Sequence, residues 1–184
     1  MANTEVPLSI VSAPARNFLS TVVIGGKKYD APSNEDNSYW FSVYDRTSLA
    51  QVYSYVQANN GDAVPTDLSG KFNTTQYFLC VATRSLGAAY VPAGNLFSFL
   101  VDSGGSIELK RLVQVYKEVG CGSLWTVGYT MAGVLGPGVP THPRVEEAVI
   151  NSMKESLYLE ATLVGVQVNN VMVYSPFPLT PPKL

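Results

Sequence analysis

Residues Ser106–Gly138 read SIELKRLVQVYKEVGCGSLWTVGYTMAGVLGPG, and this stretch decides the fold. Leu109, Leu112, Val113, Tyr116 and Val119 recur at the 3.6-residue period and form one apolar stripe. Glu108, Lys110, Arg111, Lys117 and Glu118 fall mostly on the opposite face. The spacing predicts a helix that Ser106 can cap, with Glu108 at its positive end and Gly120 where a left-handed C-cap residue belongs. A strand over Ser123–Tyr129 follows, then an apolar piece, Met131–Leu135, ended by Gly136-Pro137-Gly138. One strong helix running into a strand, in a chain otherwise rich in strand signals, points to an α+β fold with a sheet packed on a helix.

On the N-terminal side, Gln76–Arg84 (QYFLCVATR) is a nearly continuous apolar strand of the kind buried on both faces. Asn95–Val101 is apolar and fits either a helical turn or a strand, and residues 85–93 read as a loop. Residues 59–75 also read as a loop, with turn signals at Asn60-Gly61, Pro65 and Ser69-Gly70. Residues 39–57 form a hairpin whose first strand alternates Trp40, Ser42, Tyr44 against Tyr39, Phe41, Val43. Residues 48–58 also fit a helical spacing, but their Val and Tyr content favours a strand. Residues 1–38 read as a leading arm and a hairpin. A strand over Phe18–Ile24 turns at Gly25-Gly26, and the arm is expected to add to a sheet edge.

On the C-terminal side, a second helix is expected from about Pro143 to Ser156. Pro143 suits the first helical position, Glu146 and Glu147 lie near the start, and Val145, Ala148, Val149, Ser152, Met153 and Leu157 trace a core face. Tyr158–Val168 alternates and pairs with Val171–Tyr174 across Asn169-Asn170. The tail SPFPLTPPKL holds four prolines in ten residues. It can be neither helix nor central strand, which leaves an extended clamp or a docking arm. The chain thus divides into a leading arm and hairpin (1–38), a globular domain (39–168), and a final strand with a proline-rich tail (169–184).

With 184 residues and 46% hydrophobic content, the chain can build a sizeable core without staples. Charged residues make up only 14%, against about 25% in an average domain. The net charge is −2 and no basic tract occurs, which argues against a nucleic-acid partner. No apolar run approaches the length of a membrane span. The opening MANTEVPLSIV lacks the charged and apolar regions of a signal peptide, so synthesis in the cytoplasm is expected.

A catalytic constellation is not readable. The one histidine, His142, sits beside a proline without partners. With Cys80 and Cys121 far apart in the sequence, it makes no zinc pattern. Cys80, inside YFLCVA, reads as a buried small hydrophobe, and a Cys80–Cys121 disulfide is the minor alternative. No glycine-rich stretch fits a phosphate cradle. Asp30, Glu35, Asp36, Asp45, Asp62, Asp67 and Asp102 lie in loops and turns, where aspartates make Asx-turns. No enzyme, metal or cofactor is therefore expected. The rival is a small hydrolase pairing Asp62 or Asp67 with Asp102. What remains is aromatic: Trp40, Tyr44, Tyr53, Tyr55, Trp125 and Tyr129 lie in strands where alternate positions face outward, and outward rings suit sugars or protein partners.

FSVYDRTSLAQV, QYFLCVATRSLGAA, the helix–strand unit Ile107–Gly138, PRVEEAV and YLEATLVGV together resemble the interleukin-like EMT inducer (ILEI/PANDER) domain family. That domain also occurs in the stem of protein O-mannose N-acetylglucosaminyltransferases. The matching motifs are Val43-Tyr44-Asp45, Leu79–Ala82 with Leu86-Gly87-Ala88, Leu112–Gly120 with Gly122-Ser123, Gly128-Tyr129, and Met131–Gly136. The resemblance covers about residues 39–166; residues 1–38 and 167–184 have no counterpart. It implies a β-sandwich-like fold of two mainly antiparallel sheets with two or three flanking helices, a non-enzymatic role, and glycan binding as in some members.

The function expected is a non-catalytic recognition or assembly module, a structural subunit of a virion-type particle (a bacteriophage-like capsid or tail) or another extracellular particle. Partner subunits, including copies of the chain, are the expected ligands, with a glycan attached to the same reading. Trp40, Tyr44, Tyr55, Trp125 and Tyr129 are the candidate binding residues. Phe18, Phe177, Leu179 and Pro181 are the candidate assembly contacts. A secreted lectin or signalling ligand is a further alternative.

Overall fold

A computed structural model of the chain describes residues 4–14, 18–119, 126–137, 144–150 and 156–179. In chain order the strands are β1 (Thr4–Ser12), β2 (Thr21–Ile24), β3 (Lys27–Asp30), β4 (Ser38–Asp45), β5 (Gln51–Ala58), β6 (Tyr77–Arg84), β7 (Leu86–Gly87), β8 (Thr126–Val134), β9 (Arg144–Ile150), β10 (Leu157–Val168) and β11 (Val171–Pro178). The helices are α1 (Thr66–Ser69), α2 (Gly94–Asp102) and α3 (Ile107–Val119). Five strands form one antiparallel sheet in the order β11-β10-β1-β2-β3. The other six form the second, in the order β5-β4-β6-β8-β7 with β9 also on β8.

The period-2 alternation of β4, β6 and β8 sorts their side chains into two cores. Trp40, Tyr44, Phe78, Cys80, Ala82, Ala132 and Val134 face the first sheet, where they meet Leu8, Ile10, Val22, Leu159, Ala161 and Leu163. Tyr39, Phe41, Val43, Leu79, Val81, Val127, Tyr129 and Met131 face the opposite way, toward Leu68 of α1, Leu96 and Leu100 of α2, and Leu109, Leu112, Val113 and Tyr116 of α3. The molecule is therefore layered sheet–sheet–helix, and the expected two-sheet sandwich with flanking helices is what forms. Leu109, Leu112, Val113 and Tyr116 of the stripe read from the sequence form the face α3 buries.

Among the described residues, polar groups tie the sheets together at more than one place. At one corner Ala13 bridges to Arg84, and the buried Arg84 guanidinium pairs with Asp36 at 3.2 Å. Elsewhere Arg46, in the β4–β5 turn, reaches the last strand. Its Nε donates to Tyr174 O at 2.7 Å, one terminal nitrogen donates to Ser175 Oγ at 2.6 Å, and the other to Thr75 O at 2.7 Å. The turn itself is an Asx motif. Asp45 Oδ1 accepts the N–H groups of Thr47 and Ser48, each at 2.9 Å.

Several expectations change. The helix expected over 143–156 is instead β9 across its described part, and residues 151–155 lie outside the described residues along with Pro143. β9 pairs with β8 from Val127↔Ile150 to Gly133↔Arg144, and alternation sends Val145 into the inter-sheet core. Ser123–Tyr129 and Met131–Leu135 are one strand across their described part, β8. Asn95–Val101 is helix, and residues 59–75 contain α1. β5 is a strand, as its composition favoured. The leading arm is not an added edge, because β1 is the middle strand of its sheet. The Asn169-Asn170 turn forms as expected, with both residues at positive φ (48° and 65°), the combination a two-residue type I′ hairpin needs. The described part of the tail closes the sheet as edge strand β11, where Pro176 and Pro178 remove no ladder donor, and residues 180–184 lie outside the described residues.

Candidate functional site

Three of the candidate aromatics are core residues. Trp40 is 2% exposed and its indole N–H donates to Ser54 Oγ at 2.9 Å. Tyr44 is buried, stacks on Phe78 at 5.2 Å, and accepts from Ser42 Oγ at 2.8 Å. Tyr129 is buried and donates to Glu146 Oε2 at 3.0 Å. Burial pushes both phenols far above the ordinary range; the Glu146 charge adds to this at Tyr129. These rings are shut off from the surface, because β4 and β8, the strands that carry them, are covered on both faces. Trp125 and Pro181 lie outside the described residues, as do Cys121 and His142. Cys80 is a buried free thiol whose pKa burial raises strongly, which makes it a poor nucleophile.

Tyr55 is the candidate ring that reaches solvent, at 45% exposure. It ends a row of aromatic rings along the rim of the second sheet. Tyr55 lies 6.2 Å from Tyr53, Tyr53 lies 5.2 Å from Phe72, and Phe72 lies 5.3 Å from Tyr77. The Lys71 ammonium sits over the Phe72 ring at 4.9 Å. Partial burial and then the Asp67 charge raise the Tyr53 pKa. The row exists because Tyr53 and Tyr55 share one face of β5, opposite Val43 and Phe41, while the segment after α1 supplies Phe72. It offers flat apolar rings with one cation and one carboxylate beside them.

A second surface belongs to the first sheet. Along β10, Leu159, Ala161 and Leu163 face the core, so Tyr158, Thr162, Val164, Val166 and Val168 face out. The register places Val166 opposite Val173 and Val168 opposite Val171 on that outer face. Described pairing of β10 with β1 ends at Gly165↔Thr4, and the hairpin tip continues past it. Phe177 and Leu179 join this face and line a depression of about 370 Å³ with Glu5, Thr162, Val164 and Pro178. Two of the expected assembly contacts thus converge, while exposed Phe18 lies before β2. The valine tip was not singled out from the sequence, although VGVQVNNVMV carries valine on both sides of its turn.

Of the two carboxylate pairings read for a hydrolase, Asp62 or Asp67 with Asp102, the first is set across a helix. Asp62 accepts the N–H of Asn95 at the start of α2 at 3.0 Å, and Asp102 is the last residue of that nine-residue helix. At 1.5 Å per residue, the seven steps from Asn95 to Asp102 span roughly 10 Å of helix axis. Among the described residues no group of three or more His, Cys, Asp or Glu could hold a metal ion. No helix among them is long and apolar enough to cross a membrane. No protein-family model matches the chain, and no curated protein matches it.

Proposed function

We propose that the protein is a non-catalytic recognition and assembly module, a structural subunit of a virion-type particle. One observation carries this reading: the outer face of the β10–β11 hairpin gathers exposed Val166, Val168 and Val171 with Phe177 and Leu179. Clustered exposed aliphatic side chains mark contact surfaces. The low charge content of 14% fits a surface designed to be covered. The ILEI-like resemblance belongs to the same proposal, and it adds a glycan as a second ligand. The row Tyr55–Tyr53–Phe72–Tyr77 favours that addition, since a run of tilted and edge-on rings flanked by Lys71 and Asp67 offers apolar ring surface with polar groups beside it to a sugar.

The test is sedimentation of the purified chain and of a Val168→Lys/Val171→Lys variant, beside a glycan array. The expected result is concentration-dependent association that the double variant reduces, with array signal that Tyr53→Ala removes. A chain that stays monomeric and binds nothing on the array sinks the proposal.

A further inference from the structure

Sheet edges with free N–H and C=O groups pair with other chains unless something guards them. Most edges here are guarded. On β11 the Tyr174 N–H donates to Arg46 O at 2.9 Å and Tyr174 O accepts from Arg46 Nε, while Pro176 and Pro178 have no N–H to offer. β3 is four residues long and carries Lys27 and Lys28. β9 carries Arg144, Glu146 and Glu147, and α3 lies against it.

β5 has none of these protections. It is eight residues long, QVYSYVQA, with no charge, proline or glycine. It ends its sheet, and no described strand lies beyond it. Asn59 N–H donates to Asn37 O, which fixes the hydrogen-bonded pairs of the β4–β5 ladder at Tyr39–Gln57, Phe41–Tyr55 and Val43–Tyr53. The backbone groups of Ser54 and Val56 therefore point away from β4. Val52, Ser54 and Tyr55 are exposed.

We infer that β5 pairs antiparallel with β5 of a second copy of this chain, about a two-fold axis at Tyr55, joining the two second sheets into one. This deepens the assembly reading by naming one contact, and it rests on that reading for the partner being another copy. In this register Ser54 meets the partner's Val56, so the free backbone groups are matched. The two Tyr55 rings stand directly opposite each other in a non-hydrogen-bonded pair, the closer kind of cross-strand neighbour. No like charges oppose, because the strand has none.

Charge complementarity at the strand ends favours a copy of this chain as occupant. Tyr53 is the end that carries Phe72 and the Lys71 ammonium. Gln57 is the end that holds the 60–63 loop, through bonds from its Nε2 to Asn60 O and Ala63 O, with exposed Asp62 within that loop. The two-fold places Tyr53 opposite the partner's Gln57, so Lys71 of each chain approaches the partner's Asp62. The aromatic rows of both chains then form one continuous ledge on the helix side.

The test uses the full chain by analytical ultracentrifugation, with Tyr55→Lys to oppose two charges at the axis and Tyr55→Cys to report the register. Circular dichroism checks that both variants fold. The expected results are a wild-type dimer, loss of that dimer in Tyr55→Lys, and an interchain disulfide in Tyr55→Cys under mild oxidation that the wild type lacks. Amide exchange at Ser54 and Val56 slows in the dimer and not in Tyr55→Lys. A wild-type chain that remains monomeric overturns the pairing together with self-assembly. Association abolished by Val168→Lys/Val171→Lys but unchanged in Tyr55→Lys, with no cross-link in Tyr55→Cys, overturns the β5 pairing and leaves the proposed function standing.

Discussion

The Tyr129 hydroxyl donates to Glu146 Oε2 at 3.0 Å, and this carboxylate is also the N-terminal cap of α3. Ser106 N–H reaches Glu146 Oε2 at 2.8 Å, Glu108 N–H reaches Oε1 at 3.1 Å, and Leu109 N–H reaches Oε2 at 3.3 Å. One side chain on β9 thus meets both the positive end of the helix and a phenol from β8.

Glu146→Ala strands those N–H groups and leaves the Tyr129 hydroxyl unpaired. The expected cost is about 2–4 kcal/mol, combining a lost cap with a buried unsatisfied donor. Glu146→Gln keeps an acceptor and loses the charge, so it costs less, about 1 kcal/mol. Urea unfolding of the two variants measures the difference. Equal stability of Ala and wild type contradicts the capping role.

Alkaline pH should unfold the protein cooperatively. Burial raises the pKa of Tyr39, Tyr44 and Tyr129 above the ordinary value of 10. A raised pKa means the folded state holds its proton more tightly than the unfolded chain. The stability from these phenols is complete below pH 10 and falls as pH rises beyond it, by up to about 1.4 kcal/mol per unit for each phenol. Tyrosinate absorbance from the buried rings should appear together with loss of circular dichroism. Early ionisation of these phenols in a folded chain contradicts their burial.

Arg46→Ala removes the tie between the β4–β5 turn and β11. A loss of about 2–3 kcal/mol is expected, since the guanidinium is half-buried and its acceptors would be stranded. Arg46→Lys recovers only part, because an ammonium cannot span Tyr174 O, Ser175 Oγ and Thr75 O at once. Hydrogen exchange at Tyr174 should quicken in both variants.

Asp45 sets the acid limb. Slight burial opposes its charge, but bonds from Thr47, Ser48 and Gln76 outweigh that and hold its carboxyl well below the usual range. A depressed pKa contributes stability that is present above pH 4 and lost as pH falls. Asp45→Asn should flatten the dependence of stability on pH below pH 4, read by denaturant titration at successive pH values.

Residues 144–150 explain why the sequence misled there. Val145, Ala148 and Val149 fit a helix face, and Glu146 fits the acidic first turn of a helix. Glu146 does serve a helix N-terminus, but that of α3, contributed across space from a strand. Local pattern cannot tell a residue that caps its own helix from one that caps another. The pairing with β8 decided the matter, and pairing partners are not visible in a seven-residue window. α3 was legible because Leu109, Leu112, Val113 and Tyr116 of its stripe pack on one surface. Trp40, Tyr44 and Tyr129 were misassigned because period-2 alternation identifies two faces without saying whether both are covered. β4 is buried almost throughout, with a helical layer on one face and a sheet on the other. The valine hairpin was legible as a hairpin, yet which of its faces lies outside is set by Leu159, Ala161 and Leu163 packing inward along β10.

The first sheet joins strands far apart in the sequence, and this has a consequence for biogenesis. Its middle strand, β1, hydrogen-bonds to β10; Ser9 and Glu160, paired across the two strands, are 151 residues apart. During translation β1, β2 and β3 leave the ribosome well before β10, and one flank of β1 stays open until the strand 151 residues on has been made. Closure over such a separation is slow, and the waiting apolar strand is vulnerable to misassociation. The nascent chain should therefore depend on chaperone protection up to the moment β10 emerges. Ribosome-stalled chains ending before residue 157 should stay protease-sensitive across 4–12, while longer ones with β10 clear of the exit tunnel become resistant.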